Sequence, residues 1–409
     1  MRRLVFVLVV IGCGGHDPVD IDAPAVGSDA PNNTCQPQSA IGNFYRRQPN
    51  PRIIAGHQAY TDGKIDVGVA DPDLRWDDDS GLWQLYFHGP HAQSFGAAVT
   101  QMIRHATSLD LAAWSIDDAP SLQVSADPAA WDHLNTETPT VAYNPNAAAD
   151  RRYLLLYSGA NGMLPNYSFA NYAIGAAFSA DGKTFTRVPA SESPHGKDGL
   201  VLTGTDVYPG AIGAIVADPE VAFVNGTYHL WYSSFACTGT SCATITDYGI
   251  AHSTSTDGIH WTTAEAPVRS LLRASVDRTS GGAQPSVIYD EPHCRWELWM
   301  RSDLAGETDV QPVVFNNMAG VWHATSTDAV SWTINFNGTR DLKWNDGAPD
   351  AGEHLGLLTG TDVAMKLTGR YMIYGGFDDQ LVPGGFLLPN HSTTQPGVMT
   401  LNLATRDAP

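Results

Sequence analysis

Hydrophobic positions in this chain fall in short runs that recur at a fixed spacing. An x-Pro-x-aliphatic signature appears at Asp71-Pro72-Asp73-Leu74, Thr138-Pro139-Thr140-Val141, Asp218-Pro219-Glu220-Val221 and Gln284-Pro285-Ser286-Val287, with a decayed fifth copy at Gly360-Thr361-Asp362-Val363. Each is followed by a turn and an aromatic-rich run: Trp83 to Tyr86, Tyr153 to Leu156, Tyr228 to Trp231, Trp296 to Trp299 and Tyr371 to Tyr374. The leading aromatics are 70, 75, 68 and 75 residues apart, and a period in this range marks a repeat architecture.

A third element recurs in four of the five units. It runs from Ser108 and Asp110 to Trp114, from Ser179, Asp181 and Gly182 to Phe185, from Ser255, Asp257 and Gly258 to Trp261, and from Ser326 and Asp328 to Trp332. Ser-x-Asp makes a turn because the Asp side chain accepts from backbone amides ahead of it. The aromatic four residues later opens the next strand. Each unit is thus a four-stranded antiparallel sheet, and five such sheets cover one another's faces only in a radial arrangement. The expected fold is all-β, a five-bladed β-propeller with blades near 66–118, 137–190, 216–268, 283–337 and 358–405. The last blade lacks a Ser-x-Asp turn, so residues 41–60 are expected to supply its outer strand and close the ring.

Composition agrees with short strands and tight turns, with 39 Gly, 26 Pro and only 16% charged residues. A formal charge of −20 argues against nucleic acid, whose binding depends on Lys and Arg neutralising phosphates, and suits an extracellular protein with a neutral ligand. Met1-Arg2-Arg3 followed by the apolar run Leu4 to Ile11 has the form of an export signal too short to span a bilayer. Val10-Ile11-Gly12-Cys13 resembles a bacterial lipobox, which implies a signal peptide over 1–12 and lipid on Cys13. An ordinary secretory peptide is the alternative. Residues 13–40 are poor in large apolar side chains and read as a tether, leaving 41–409 as the propeller domain. The expected place is the outer membrane or cell surface, as a monomer.

Without Cys13 four cysteines remain, an even number for an oxidising compartment. Cys237 and Cys242 bracket a short loop, and by elimination Cys35 pairs with Cys294. No Cys/His spacing fits zinc, and Asp77-Asp78-Asp79 reads as a solvated turn rather than a calcium loop. No cofactor is expected, and a structural calcium has no support. His105, His252 and His323 share one repeat position on the third strand and are expected to pack between blades.

In a propeller the first strand of each blade is innermost, so the five x-Pro-x sites surround one mouth of the channel. Asp71, Thr138, Asp218, Gln284 and Gly360 form one ring, and Asp73, Thr140, Glu220, Ser286 and Asp362 the next. Carboxylates from blades one and three suit a general base and a general acid for glycosidic bond cleavage. The ring, the blade-one Asp-Pro and the Ser-x-Asp-Gly-x-x-Trp turns resemble the clan of glycoside hydrolase families 43, 62 and 32. That resemblance covers about residues 45–405 and implies Asp71 as general base and Asp218 or Glu220 as general acid. It also implies an acid opening blade two, where this chain has Thr138; Glu137 stands one residue earlier. Asp73, Glu137, Thr138, Asp362, Arg301 and His88 are weaker candidates for substrate contact. Loops between second and third strands, carrying His88, His91, Tyr167, Phe169, Tyr172, Phe235, Arg301, Phe315, Phe377 and Phe386, are candidates to line sugar subsites, since sugars stack on aromatic faces. By family analogy the substrate is an arabinose- or xylose-containing polysaccharide. The missing blade-two acid keeps open a second expectation, a non-catalytic propeller that binds glycan or protein.

Overall fold

In a computed structural model of the protein, the residues described are Cys35, 44–47, 49–56, 59–162, 171–211, 213–238, 244–263, 283–301, 320–334, 341–343, 360–367, 369–378 and 398–406. They form five antiparallel sheets and one small two-stranded pair, Ile65–Asp66 with His91–Ala92. The five innermost strands are Ala70–Asp77, Asn135–Tyr143, Gly213–Val224, Ala283–Asp290 and Thr361–Lys366. Each pairs outward with an aromatic-rich second strand and then a third. The architecture is the five-bladed propeller that the repeats predict. These strands lie within the unit Gln36–Pro409.

The ring closes as expected. Tyr45–Arg46 pairs antiparallel with Val398–Arg406, Tyr45 opposite Thr405, and Ile53–Ile54 pairs farther along the same strand. The expectation of one outer strand per blade needs refinement. In blades one, two and four the outer layer is two short pieces on the third strand, such as Ser115–Ile116 and Leu122–Gln123 in blade one.

The core lies between blades. Five apolar clusters occupy the five interfaces: blades one and two, two and three, three and four, four and five, and five and one. Successive side chains of a strand point to opposite faces, so one strand feeds two clusters. Leu154 and Leu156 pack toward blade three, whereas Leu155 and Tyr157 pack toward blade one. Both faces are dry, which is why these strands read as continuous apolar runs rather than alternating ones.

The Ser-x-Asp turns form as the sequence predicts. Asp110 Oδ1 accepts from the amides of Ala112 and Ala113, Asp181 from Lys183 and Thr184, Asp257 from Ile259 and His260, and Asp328 from Val330 and Ser331. The repeat-position histidines are buried packing groups. His105 bonds Gln84 and Asp117, His252 stacks on Trp231, and His323 stacks on Trp299. In the Asp77-Asp78-Asp79 turn Asp77 accepts from Ser80, and Asp78 accepts from the Trp76 indole. Cys35 and Cys294 are disulfide-bonded. Cys13, Cys242 and the side chain of Cys237 lie outside the described residues, as does the segment read as a signal.

Candidate functional site

The x-Pro-x segments are bulges. Each inner strand slips register there, between Ala70 and Asp73, Glu137 and Thr140, Ala217 and Glu220, and Ala283 and Ser286. An extra residue in a ladder re-aims side chains, and such bulges gather beside functional sites. The residue before each Pro adopts left-handed backbone: φ is 49° at Asp71, 48° at Thr138, 51° at Asp218 and 49° at Gln284, and Gly360 matches at 60°. A non-glycine residue in this region costs about 1–3 kcal/mol and persists only where the surroundings impose it. Four such residues at one level of one channel form a strained collar.

What imposes it is the neighbouring blade. Ser158 Oγ, on blade two's second strand, accepts the amide of Asp218 in blade three at 2.9 Å, and the Thr138 hydroxyl donates to the same oxygen. Ser233 does the same from blade three for the amide of Gln284. By register, Ser158 faces Glu137 and Ser233 faces Ala217, and the blade-one residue in that column, facing Ala70, is His88. His88 Nδ1 lies 4.0 Å from Glu137 Oε2, and its Nε2 is 2.7 Å from Gln101 Oε1.

Two residues farther along each strand lies the second ring, built differently. Asp73 accepts the Val141 amide of blade two (3.2 Å) and Thr140 that of Val221 in blade three (3.1 Å). Glu220 accepts from Val287 in blade four (3.1 Å), Ser286 from Val363 in blade five (2.8 Å), and Asp362 from Leu74 in blade one (2.6 Å). The circuit is complete: every blade is pinned to the next by one side chain and one amide. The Thr140 and Ser286 hydroxyls also donate to Glu220 and Asp362.

The two rings differ in exposure. Asp71, Glu137 and Asp218 are half-buried, whereas Asp73, Glu220 and Asp362 are buried. Oxygens of the three buried carboxylates come within 4.8 Å of one another. Burial pushes all three toward the protonated form, and repulsion from neighbouring carboxylates adds to it at Asp73 and Glu220. Asp362 rises to about 6, and Asp73 and Glu220 move well above the carboxylate range. Like charges this close in a dry channel do not all ionise at neutral pH.

The candidate residues therefore separate. Asp71 and Asp218 occupy equivalent collar positions in blades one and three. Glu220, Asp73 and Asp362 lie one level down, engaged in the interblade circuit. Thr138 uses its hydroxyl on Ser158. Glu137 stands before the blade-two bulge, in the column where blades one, three and four have Ala70, Ala217 and Ala283. Tyr172 donates to Glu137 and accepts from Asn135 Nδ2 at 3.1 Å; burial, then the Glu137 charge, raise its hydroxyl pKa far above the ordinary value. Asp218 adds to that negative surrounding. Among the loop candidates, His91 is buried and bonds Asp62, Asp66 and Arg104, and Phe235 is buried. Tyr167, Phe169, Phe315 and Phe386, with the side chains of Arg301 and Phe377, lie outside the described residues.

The repeats gave no hint of Ser158 or Ser233, whereas Tyr172 was among the loop aromatics expected beside the channel, though as a sugar-stacking face rather than as a hydrogen-bond donor to Glu137. The signal for Glu137 was present in the aligned repeats, as an acid in a column of alanines. The arrangement offers two half-exposed carboxylates on strained, rigid backbone, with a third carboxylate and a neutral phenol beside the second.

No family model and no curated protein matches the chain. Solved structures do. A thermostable family-43 glycoside hydrolase is 14% identical, over 86% of this chain and 94% of that one, with a TM-score of 0.50. A structure from the GH130 family, described as mannoside phosphorylases that include glycoside hydrolases targeting β-1,2 mannosidic linkages in Candida mannan, is 14% identical over 90% and 95%, with a TM-score of 0.54. An N-acetylgalactosamine deacetylase from F. plautii, in complex with blood group B trisaccharide, is 11% identical over 89% and 95%, with a TM-score of 0.57. The chain has the five-bladed propeller fold that these proteins share.

Proposed function

We propose that the chain is a glycoside hydrolase whose reacting groups are Asp71 and Asp218. The observation that carries this is the collar: Asp71 and Asp218 hold equivalent strained bulges at one level of the channel, both half-exposed. The fold it shares with glycoside hydrolases supports the same reading. In the proposed reaction the Asp71 carboxylate takes a proton from water as the water oxygen bonds the anomeric carbon. Asp218, as the carboxylic acid, gives its proton to the departing glycosidic oxygen. Glu137, with Tyr172 donating to it, is the blade-two carboxylate of this reading, one residue before the place where the resemblance expects an acid. Glu220 is the weaker choice for the acid, because both its oxygens already accept from Thr140 and Val287.

The substrate proposed is a polysaccharide or oligosaccharide, arabinose- or xylose-containing by the family resemblance. Export as a lipoprotein through Cys13 belongs to the same proposal and rests on the leader sequence. Release of reducing sugar from a panel of plant and microbial polysaccharides tests the activity. The reading requires that Asp71→Asn and Asp218→Asn each abolish release while leaving the thermal midpoint close to that of the wild type. A protein that binds glycans yet releases no sugar from any of them would be a binding propeller instead.

A further inference from the structure

The fifth copy of the repeat has Gly360 and Thr361 where the others have a side-chain-bearing residue and Pro. Left-handed backbone alone does not demand the glycine, since Asp71, Thr138, Asp218 and Gln284 adopt the same φ with side chains in place. The reason is spatial. A Cβ on Gly360 would lie 2.6 Å from the Asp71 Cα, 2.8 Å from Asp71 Oδ1 and 3.0 Å from the Asp71 nitrogen. Two of those three atoms are backbone, held by the bulge and by Pro72, so Asp71 cannot swing aside. Gly360 is itself fixed from two sides. Its amide donates to Gln284 Oε1 from blade four at 3.0 Å, and its carbonyl accepts from Gly375 at 2.9 Å.

We propose that Gly360, clamped by Gln284, is the positioning element for Asp71: blade five omits a side chain so that the Asp71 carboxyl can rest against its backbone. This rests on the reading of Asp71 as the general base. The Gly360 main chain forms the wall that fixes where the Asp71 carboxyl points. Gln284 holds that wall in place by accepting the hydrogen bond from the Gly360 amide. Misplacing a reacting group by about 1 Å costs on the order of 100-fold in rate, so a contact this close is a sensitive control of the chemistry.

The test measures kcat, KM and the pH profile of kcat/KM for the wild type, Gly360→Ala, Gln284→Ala and Asp71→Asn on a polysaccharide that the wild type hydrolyses. Gly360→Ala is expected to lower kcat about 100-fold with KM changed by less than about threefold, and to move the acidic limb of the profile. Gln284→Ala, which removes the clamp without adding an atom, is expected to move the same limb in the same direction with a drop of about 5- to 10-fold. If Gly360→Ala does not fold, the Gln284→Ala result decides. Wild-type kcat and an unmoved limb in the folded variants, with Asp71→Asn inactive, overturn the positioning role and leave the base in place. An active Asp71→Asn overturns the base itself, and this proposal with it.

Discussion

Two rings of side chains, two residues apart on the same five strands, do opposite things with the same chemical groups. The collar ring presents Asp71 and Asp218 half-exposed on strained backbone. The ring below buries Asp73, Glu220 and Asp362 and uses each to accept an amide from the next blade. The bulge separates them, because its extra residue lets both positions of one short segment aim into the channel at different depths. A carboxylate's role here is set by its level, and residue type alone does not reveal it.

The comparison is most exposed to substitutions that keep shape and remove charge. Asp71→Asn is expected to lower kcat/KM by about 10²- to 10⁴-fold, the range for a lost general base, with little change in thermal midpoint. Asp218→Asn should be comparable on a natural glycan, with a smaller loss on an aryl glycoside whose leaving group needs no proton. Glu220→Gln is the counter-test: it keeps an acceptor for Val287, so activity should stay within a few-fold of wild type. A loss as deep as that of Asp71→Asn would move the acid to the lower ring. Glu220→Ala, which leaves the Val287 amide without its acceptor, should cost about 1–3 kcal/mol in denaturant unfolding.

The pH dependence of stability sharpens the difference further. Asp362 titrates near 6 in the folded chain, above the value near 3.9 of an unfolded aspartate. The folded state therefore holds a proton that the unfolded state has released between those values. That contribution favours folding below about pH 4, fades as pH rises toward 6, and is gone above it. Asp362→Asn should flatten this decline and raise stability at pH 8 by on the order of 1–3 kcal/mol. An unchanged decline in the variant would show that Asp362 does not carry this pH dependence. The smallest effect belongs to the turns. Asp257→Ala, removing the acceptor for the Ile259 and His260 amides, should cost under about 1.5 kcal/mol and leave activity unchanged.

Much of the fold was legible because a propeller is written in local signals. Pro after a strand-opening residue, a turn, an aromatic strand and a Ser-x-Asp turn each act over a few residues, and five copies at one period leave a radial arrangement as the way to cover every face. Even the closure by residues 41–60 followed from the missing turn in blade five, and Tyr45–Arg46 beside Val398–Arg406 bears it out. The site was legible only in part. Asp71 and Asp218 stood out as acids in the collar column, but Glu220 stood out equally, and its depth depends on a bulge whose geometry is set by pairing with another strand. Glu137 was legible only as a neighbour of Thr138, because the repeat was aligned on Pro139, although its own column of alanines marks it. Ser158 carries no sequence mark, and Tyr172 was marked only as a loop aromatic, since each acts on a residue of another strand or blade.

The sequence by itself determined the repeat, the blade number, the turns and the strands that form the channel, because these follow from local preferences multiplied five times. The tertiary structure decided which carboxylates reach solvent, which clasp the neighbouring blade, and why blade five lacks a side chain at its collar position. Those properties arise where different blades meet. Gly360 shows the division most plainly: alone it is a decayed repeat, and beside Asp71 it is the space that the Asp71 backbone and carboxylate occupy.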